Sequence, residues 1–131
     1  MRLLLDTHVA LLAVLEDYKL SGRARSLIGD LDNQVFVSVV TLWEIGIKFA
    51  RRRGRATDMP MSALDALRCF EEAGYGLLNV TAQHALAIGD LPSIHADPFD
   101  RMLIAQARSE PLRLLTADTA VASYGSDIER I

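Results

Sequence analysis

The chain has 131 residues, half of them hydrophobic and about a quarter charged, with a net charge of −3. That suits one domain, spanning 1–131, with one real core, and it excludes a disordered chain. No apolar run approaches the roughly 20 residues that cross a bilayer, and the charge gives no global attraction to nucleic acid or membrane.

In chain order, "RLLLD" (2–6) predicts a buried strand, and a helix opens at Thr7 and runs to about residue 17. Asp6 and His8 interrupt this apolar stretch, which argues against a signal peptide. "SGRARSLIGDL" (21–31) reads as a helix with Ser21 as N-cap, and "QVFVSV" (34–39) as a strand. "TLWEIGIKFARRR" (41–53) has apolar residues three and four apart, so it predicts a helix stopped by Gly54, with Trp43 and Phe49 in the core. "MSALDALRCFEEAG" (61–74) is a second amphipathic helix, and its Cys69 reads as a small buried hydrophobe. As the one cysteine it excludes an internal disulfide and fits a reducing cytoplasm. "GLLNV" (76–80) is a short strand, and Thr81 caps the helix "AQHALAIGDL". A helix follows over roughly 98–109, then a strand at 112–116, a short helix at 118–123 and a final edge strand at 128–131. Strands alternating with helices predict an α/β protein, and apolar strands with no polar face predict a mainly parallel sheet covered on both sides.

Ligands of such sheets bind beyond the carboxyl ends of the strands. Asp6 closes the first strand, Glu44 lies in the first turn of the helix after the second, and Asp118 follows "LRLLT". Asp100 sits in the first turn of its own helix and joins them if that helix starts at the same edge. Taken singly, each acid has an ordinary role as a helix cap or a first-turn acid. Together they are costly, because two carboxylates about 4 Å apart repel by roughly 4 kcal/mol at an effective dielectric near 20. Either some are protonated or a cation sits among them, and an all-oxygen site favours Mg²⁺ or Mn²⁺ over Zn²⁺. Asp97 precedes Pro98 and reads first as an N-cap.

Residues 48–55, "KFARRRGR", hold five bases in eight. Lys48, Arg51 and Arg52 follow Glu44 at four, seven and eight residues, on roughly its face of the helix, where they would form a local anion-binding surface. A solvated helix end, its bases complementing the dipole, is the other reading of this stretch. His8 is expected at the surface or in packing, pointing away from Asp6, and neither His84 nor His95 carries a sign of function.

The strings "LLLDTH" (3–8), "SVVTLWEIGIK" (38–48), "DPFDRMLIAQA" (97–107) and "LLTAD" (114–118) span nearly the whole chain. In this order they resemble a PIN domain, in particular the VapC-like toxins of bacterial toxin–antitoxin pairs, in the subgroup bearing the DPFDR string. The resemblance implies a three-layer α/β/α sandwich and a divalent-metal-dependent endoribonuclease, in which Lys48, Arg51 and Arg52 would hold RNA phosphates. By matching position, Asp6, Glu44, Asp100 and Asp118 correspond to the family's catalytic, metal-holding acids, and Thr116 to its hydroxyl near the fourth. Asp97 is an extra acid of the subgroup, a ligand or only a cap. The resemblance also implies a small antitoxin partner and a homodimer. Leu11, Leu12, Leu15 and the helix at 61–74 are the candidate contacts.

Three other protein classes share parts of this pattern. A receiver-type phosphoacceptor domain needs paired acids after the first strand and a lysine after a late one. Here Thr7 follows Asp6, and the lysines are Lys19 and Lys48. A PIN-fold nuclease with a DNA substrate or another cellular role, and a non-catalytic PIN-fold binding module, stay open.

Overall fold

The computed structural model describes residues 1–131. In strand β1 (Arg2–Leu5), Leu3 and Leu5 enter one apolar cluster and Leu4 enters the other. In β2 (Gln34–Ser38), Val35 and Val37 face the first cluster while Phe36 packs against the second. In β4 (Arg113–Thr116), Leu115 and Leu114 divide in the same way. Successive side chains of a strand point to opposite faces, so strands apolar throughout must be covered on both. The edge strands are β3 (Gly76–Leu78) and β5 (Ile128–Arg130). The sheet runs β3-β2-β1-β4-β5 and every pairing is parallel, so the mainly parallel expectation holds for all five strands.

Seven helices complete the layers: α1 (Thr7–Leu15), α2 (Gly22–Gly29), α3 (Val39–Ala50), α4 (Ala63–Glu72), α5 (Ala82–Ala87), α6 (Pro98–Ser109) and α7 (Thr119–Ala122). Val9, Ala10, Ala24, Leu27, Ile45, Ala66 and Phe70 bring α1 to α4 onto the first cluster. Leu103, Ile104, Ala105 and Ala107 of α6, with Val121 of α7, build the second. The chain winds outward from central β1 through β2 and β3, then returns to β4 and β5 on its other side. This reversal of direction places a crevice at the carboxyl ends of β1 and β4.

The helix at 41–53 is shifted. It begins at Val39 because the Ser38 hydroxyl accepts from Val40 N–H, and it ends at Ala50, short of Gly54. Glu44 therefore lies in its second turn, not its first. The core takes Val40, Thr41, Glu44 and Ile45 from this helix. The alternative stripe through Trp43 is turned outward, and Trp43 is 63% exposed against the expectation of a core residue. It meets Phe99 edge-on at 5.1 Å. Phe49 is half-buried, with the Arg52 guanidinium 3.9 Å above its ring.

Leu11 and Leu12 pack against the first cluster, whereas Leu15 and Leu64 are exposed. Cys69 is half-buried and free. No helix is long and apolar enough to cross a membrane.

Candidate active site

A parallel sheet makes each helix that follows a strand begin at the carboxyl edge, and helix starts recruit acids because their first N–H groups lack partners. Asp6 caps α1, its Oδ1 accepting from Val9 N–H at 2.8 Å. Asp118 caps α7 through Oδ1, from Ala120 and Val121. Asp97 caps α6 through Oδ1, from Phe99 and Asp100, with Pro98 at the first helical position where its missing N–H costs nothing. In Asp97 and Asp118 the cap occupies one oxygen, so capping and ion binding do not exclude each other.

The four predicted acids and Asp97 meet. Asp6, Glu44, Asp97, Asp100 and Asp118, with Thr7, His8 and Ala117, line one cleft of about 350 Å³. His8 thus borders the cleft, contrary to the expectation that it points elsewhere. Asp6 is the cap, so residue 8 is still in the first turn, at the cleft's rim.

Hydroxyls hold two of the carboxylates. Thr116 Oγ1 donates to Asp6 Oδ2 at 2.5 Å and accepts from Asp118 N–H, coupling the ends of β1 and β4. Thr7 Oγ1 donates to Glu44 Oε1 at 2.7 Å and lies 3.0 Å from the Thr41 hydroxyl. Thr7 and Thr41 are buried parts of the site that sequence reasoning missed. For Thr7 a signal was present, since a hydroxyl directly after a strand-end acid lies in the first turn.

The electrostatics are unbalanced. Burial pushes the Asp6 carboxyl above its ordinary range, against the Thr116 bond and the Val9 N–H, with Glu44 adding to the rise. Burial also pushes Asp100 from 3.8 up to about 6; the His95 bond lowers it, and the charges of Asp97, Asp6 and Glu44 raise it. Lys48 Nζ reaches Glu44 Oε2 at 2.5 Å, the one lysine or arginine paired with a cleft acid. Five carboxylates facing so little positive charge, all of them hard oxygen donors, fit a divalent cation such as Mg²⁺ or Mn²⁺.

Arg51, Arg52, Arg53 and Arg55 line a separate shallow recess. Arg52, just beyond the end of α3, is partly occupied, donating to Phe49 O at 2.8 Å. Of the three expected RNA-binding bases, Lys48 pairs with a cleft acid, while Arg51 and Arg52 line the separate recess.

His95 was also missed. Its Nε2 lies 2.8 Å from Asp100 Oδ2 and 4.0 Å from Asp118 Oδ2. Its ring, Asp97 and Asp100 offer ligand atoms within 4.8 Å of one another.

Residues 3–126 match the PIN domain family, and the chain belongs to it. Solved structures share the fold over nearly the whole chain. DNA-bound VapBC from Salmonella typhimurium has a TM-score of 0.71 at 17% identity, covering 99% of this chain and 98% of that one. VapBC-5 of Mycobacterium tuberculosis, a member of the VapBC family of toxin–antitoxin systems, has 0.61 at 24% identity, covering 99% and 97%. VapC20 of the same organism, a sarcin-ricin loop cleaving toxin, has 0.61 at 19% identity, covering 94% and 95%. No curated protein matches this chain by sequence.

Proposed function

We propose that this PIN-domain protein is a Mg²⁺- or Mn²⁺-dependent endoribonuclease, the toxin of a toxin–antitoxin pair in the DPFDR-bearing subgroup. The observation that carries the reading is the single cleft lined by Asp6, Glu44, Asp97, Asp100 and Asp118. The sarcin-ricin loop cleaving toxin among the fold's relatives supports the substrate, and the VapBC complexes support an antitoxin partner. A homodimer acting in the cytoplasm belongs to the same reading.

Asp6, Glu44, Asp100 and Asp118 would hold the cation, with the second oxygen of Asp97 available beside them. A bound divalent ion supplies the charge that activates water and offsets negative charge on the phosphodiester. The rest falls to the chain. Thr116 and Thr7 fix the directions of Asp6 and Glu44, so these carboxylates need no reorganisation when a cation arrives. Lys48 tempers the charge of Glu44 and gives an approaching phosphate one favourable contact at the cleft. Arg51 extends that positive track, supplying affinity without sequence choice. Trp43, exposed one residue before Glu44, is an aromatic face on which a base can stack.

The test is cleavage of mixed cellular RNA by purified wild type and Asp6→Asn, each with Mg²⁺, Mn²⁺ or EDTA. Metal-dependent cleavage absent from Asp6→Asn is expected. A fully active Asp6→Asn protein overturns the site, and cleavage of DNA alone overturns the substrate.

A further inference from the structure

Asp97 and Pro98 fix where the backbone of Asp100 starts, but they do not fix where its carboxylate points. That side chain has no bond to a hydroxyl, unlike Asp6 and Glu44. Its one side-chain partner is the ring of His95, 2.8 Å away.

His95 lies outside any helix or strand, in the stretch that leads into α6. A loop residue is a poor anchor unless its own backbone is held. Here it is held on both sides. His95 N–H donates to the Tyr124 hydroxyl at 2.7 Å, and that hydroxyl lies 3.3 Å from His95 O. Tyr124 is itself buried in the second apolar cluster. Arg101, next to Asp100, pairs with no carboxylate. Its guanidinium lies 2.9 Å from Pro92 O, 3.3 Å from Ile88 O, 3.5 Å from His95 O and 3.2 Å from the Tyr124 hydroxyl. An arginine fork spread over three backbone carbonyls and a tyrosine clamps the segment from Ile88 to His95 onto the start of α6.

We infer that His95 is a positioning residue: clamped by Tyr124 and Arg101, its Nε2 holds the Asp100 carboxylate in the cleft. This rests on the nuclease reading for its consequence in catalysis, but not for its geometry. Partners that orient metal-binding side chains commonly contribute about 10- to 100-fold in metal affinity or activity, and small misplacements of a reacting group have similar effects.

Amide variants separate the claim from a general packing role. Glutamine can place its amide nitrogen near the position of Nε2, whereas asparagine reaches only the position of Nδ1. Crystal structures come first because they need neither metal nor RNA. The Asp100 carboxylate should turn away from its present position in His95→Ala and stay in place in His95→Gln. An unmoved Asp100 in His95→Ala overturns the inference. Mn²⁺ titration calorimetry should then show affinity about 10- to 100-fold weaker in His95→Ala and His95→Asn, with His95→Gln within a few-fold of wild type. Equal losses in the Asn and Gln variants would also overturn it. In cleavage of a long RNA transcript, the Ala and Asn variants should lose kcat with KM for RNA little changed. Wild-type protein that binds Mn²⁺ but cuts no RNA would defeat the nuclease reading, leaving the first two comparisons to decide His95.

Discussion

His84 meets Glu110 at 2.5 Å and His95 meets Asp100 at 2.8 Å, each a histidine Nε2 against a carboxylate. Their surroundings divide them. His84 is fully buried at the start of α5, where its Nδ1 accepts from Thr81 N–H while the Thr81 hydroxyl accepts from His84 N–H. With Nδ1 accepting, Nε2 carries the hydrogen and donates to Glu110, the residue that ends α6. The pair staples two helix ends. His95 and Asp100 are a quarter and a fifth exposed, and Asp100 shares its cleft with four other carboxylates. Bond length does not tell a structural pair from a functional one. The number of like charges nearby, and whether the histidine itself reaches solvent, do.

The largest expected effect breaks the functional side. Asp6→Asn and Asp100→Asn should each reduce RNA cleavage to background, in a gel assay with Mn²⁺ present. Asp97→Asn should lose less, because an asparagine side-chain oxygen still caps α6. A loss equal to that of Asp100→Asn would make Asp97 a ligand before a cap.

On the structural side, His84→Ala should cost about 2–4 kcal/mol of stability, since it strands Thr81 N–H and opens a buried hole. Chemical denaturation measures this. Cleavage per folded molecule should stay near wild type, and a selective loss of activity would place His84 in the machinery.

A smaller effect concerns acidity. Folding raises the Asp100 carboxyl from 3.8 to about 6, so the folded state binds this proton more tightly than the unfolded chain. Stability from this site is fully present below about pH 4 and falls as pH rises through about 6. Without metal at neutral pH, Asp100→Asn should therefore melt roughly 2–5 °C above wild type. Mn²⁺ should narrow or reverse that gap by binding wild type alone. A variant less stable than wild type in EDTA would mean that the cleft's charges are already well compensated.

The smallest effect lies at the basic track. Lys48→Ala combined with Arg51→Ala should lower the slope of log K against log salt by about 1.4 for single-stranded RNA, from two phosphate contacts at about 0.7 each. An unchanged slope would return the stretch to a solvated helix end.

Much of this arrangement is readable from the chain. Leu3, Leu4 and Leu5 leave no polar face, which demands a covered strand, and Asp6 directly after them is an acid at the carboxyl edge. Asp97 before Pro98 announces a helix start, and α6 runs over the residues expected. What escaped was direction. The helix containing Glu44 offers two apolar stripes, and periodicity alone does not say which turns inward, so Trp43 was assigned to the core. Its start differs from expectation because Val39, β-branched and next to a β-rich run, reads as the strand's last residue, whereas the Ser38 hydroxyl caps a helix that begins there. His95 escaped because a loop residue carries no period. Its hold depends on Tyr124, 29 residues away. The one local hint is its spacing, two residues before Asp97 and five before Asp100.

On this account Asp6, Glu44, Asp100 and Asp118, with Asp97 beside them, form a divalent-cation site. Calorimetric titration of purified wild type and Asp100→Asn with Mn²⁺ tests it most directly. Saturable binding by wild type that is lost or strongly weakened in Asp100→Asn is the predicted result. Equal binding by both proteins, or no binding by well-folded wild type, would contradict it.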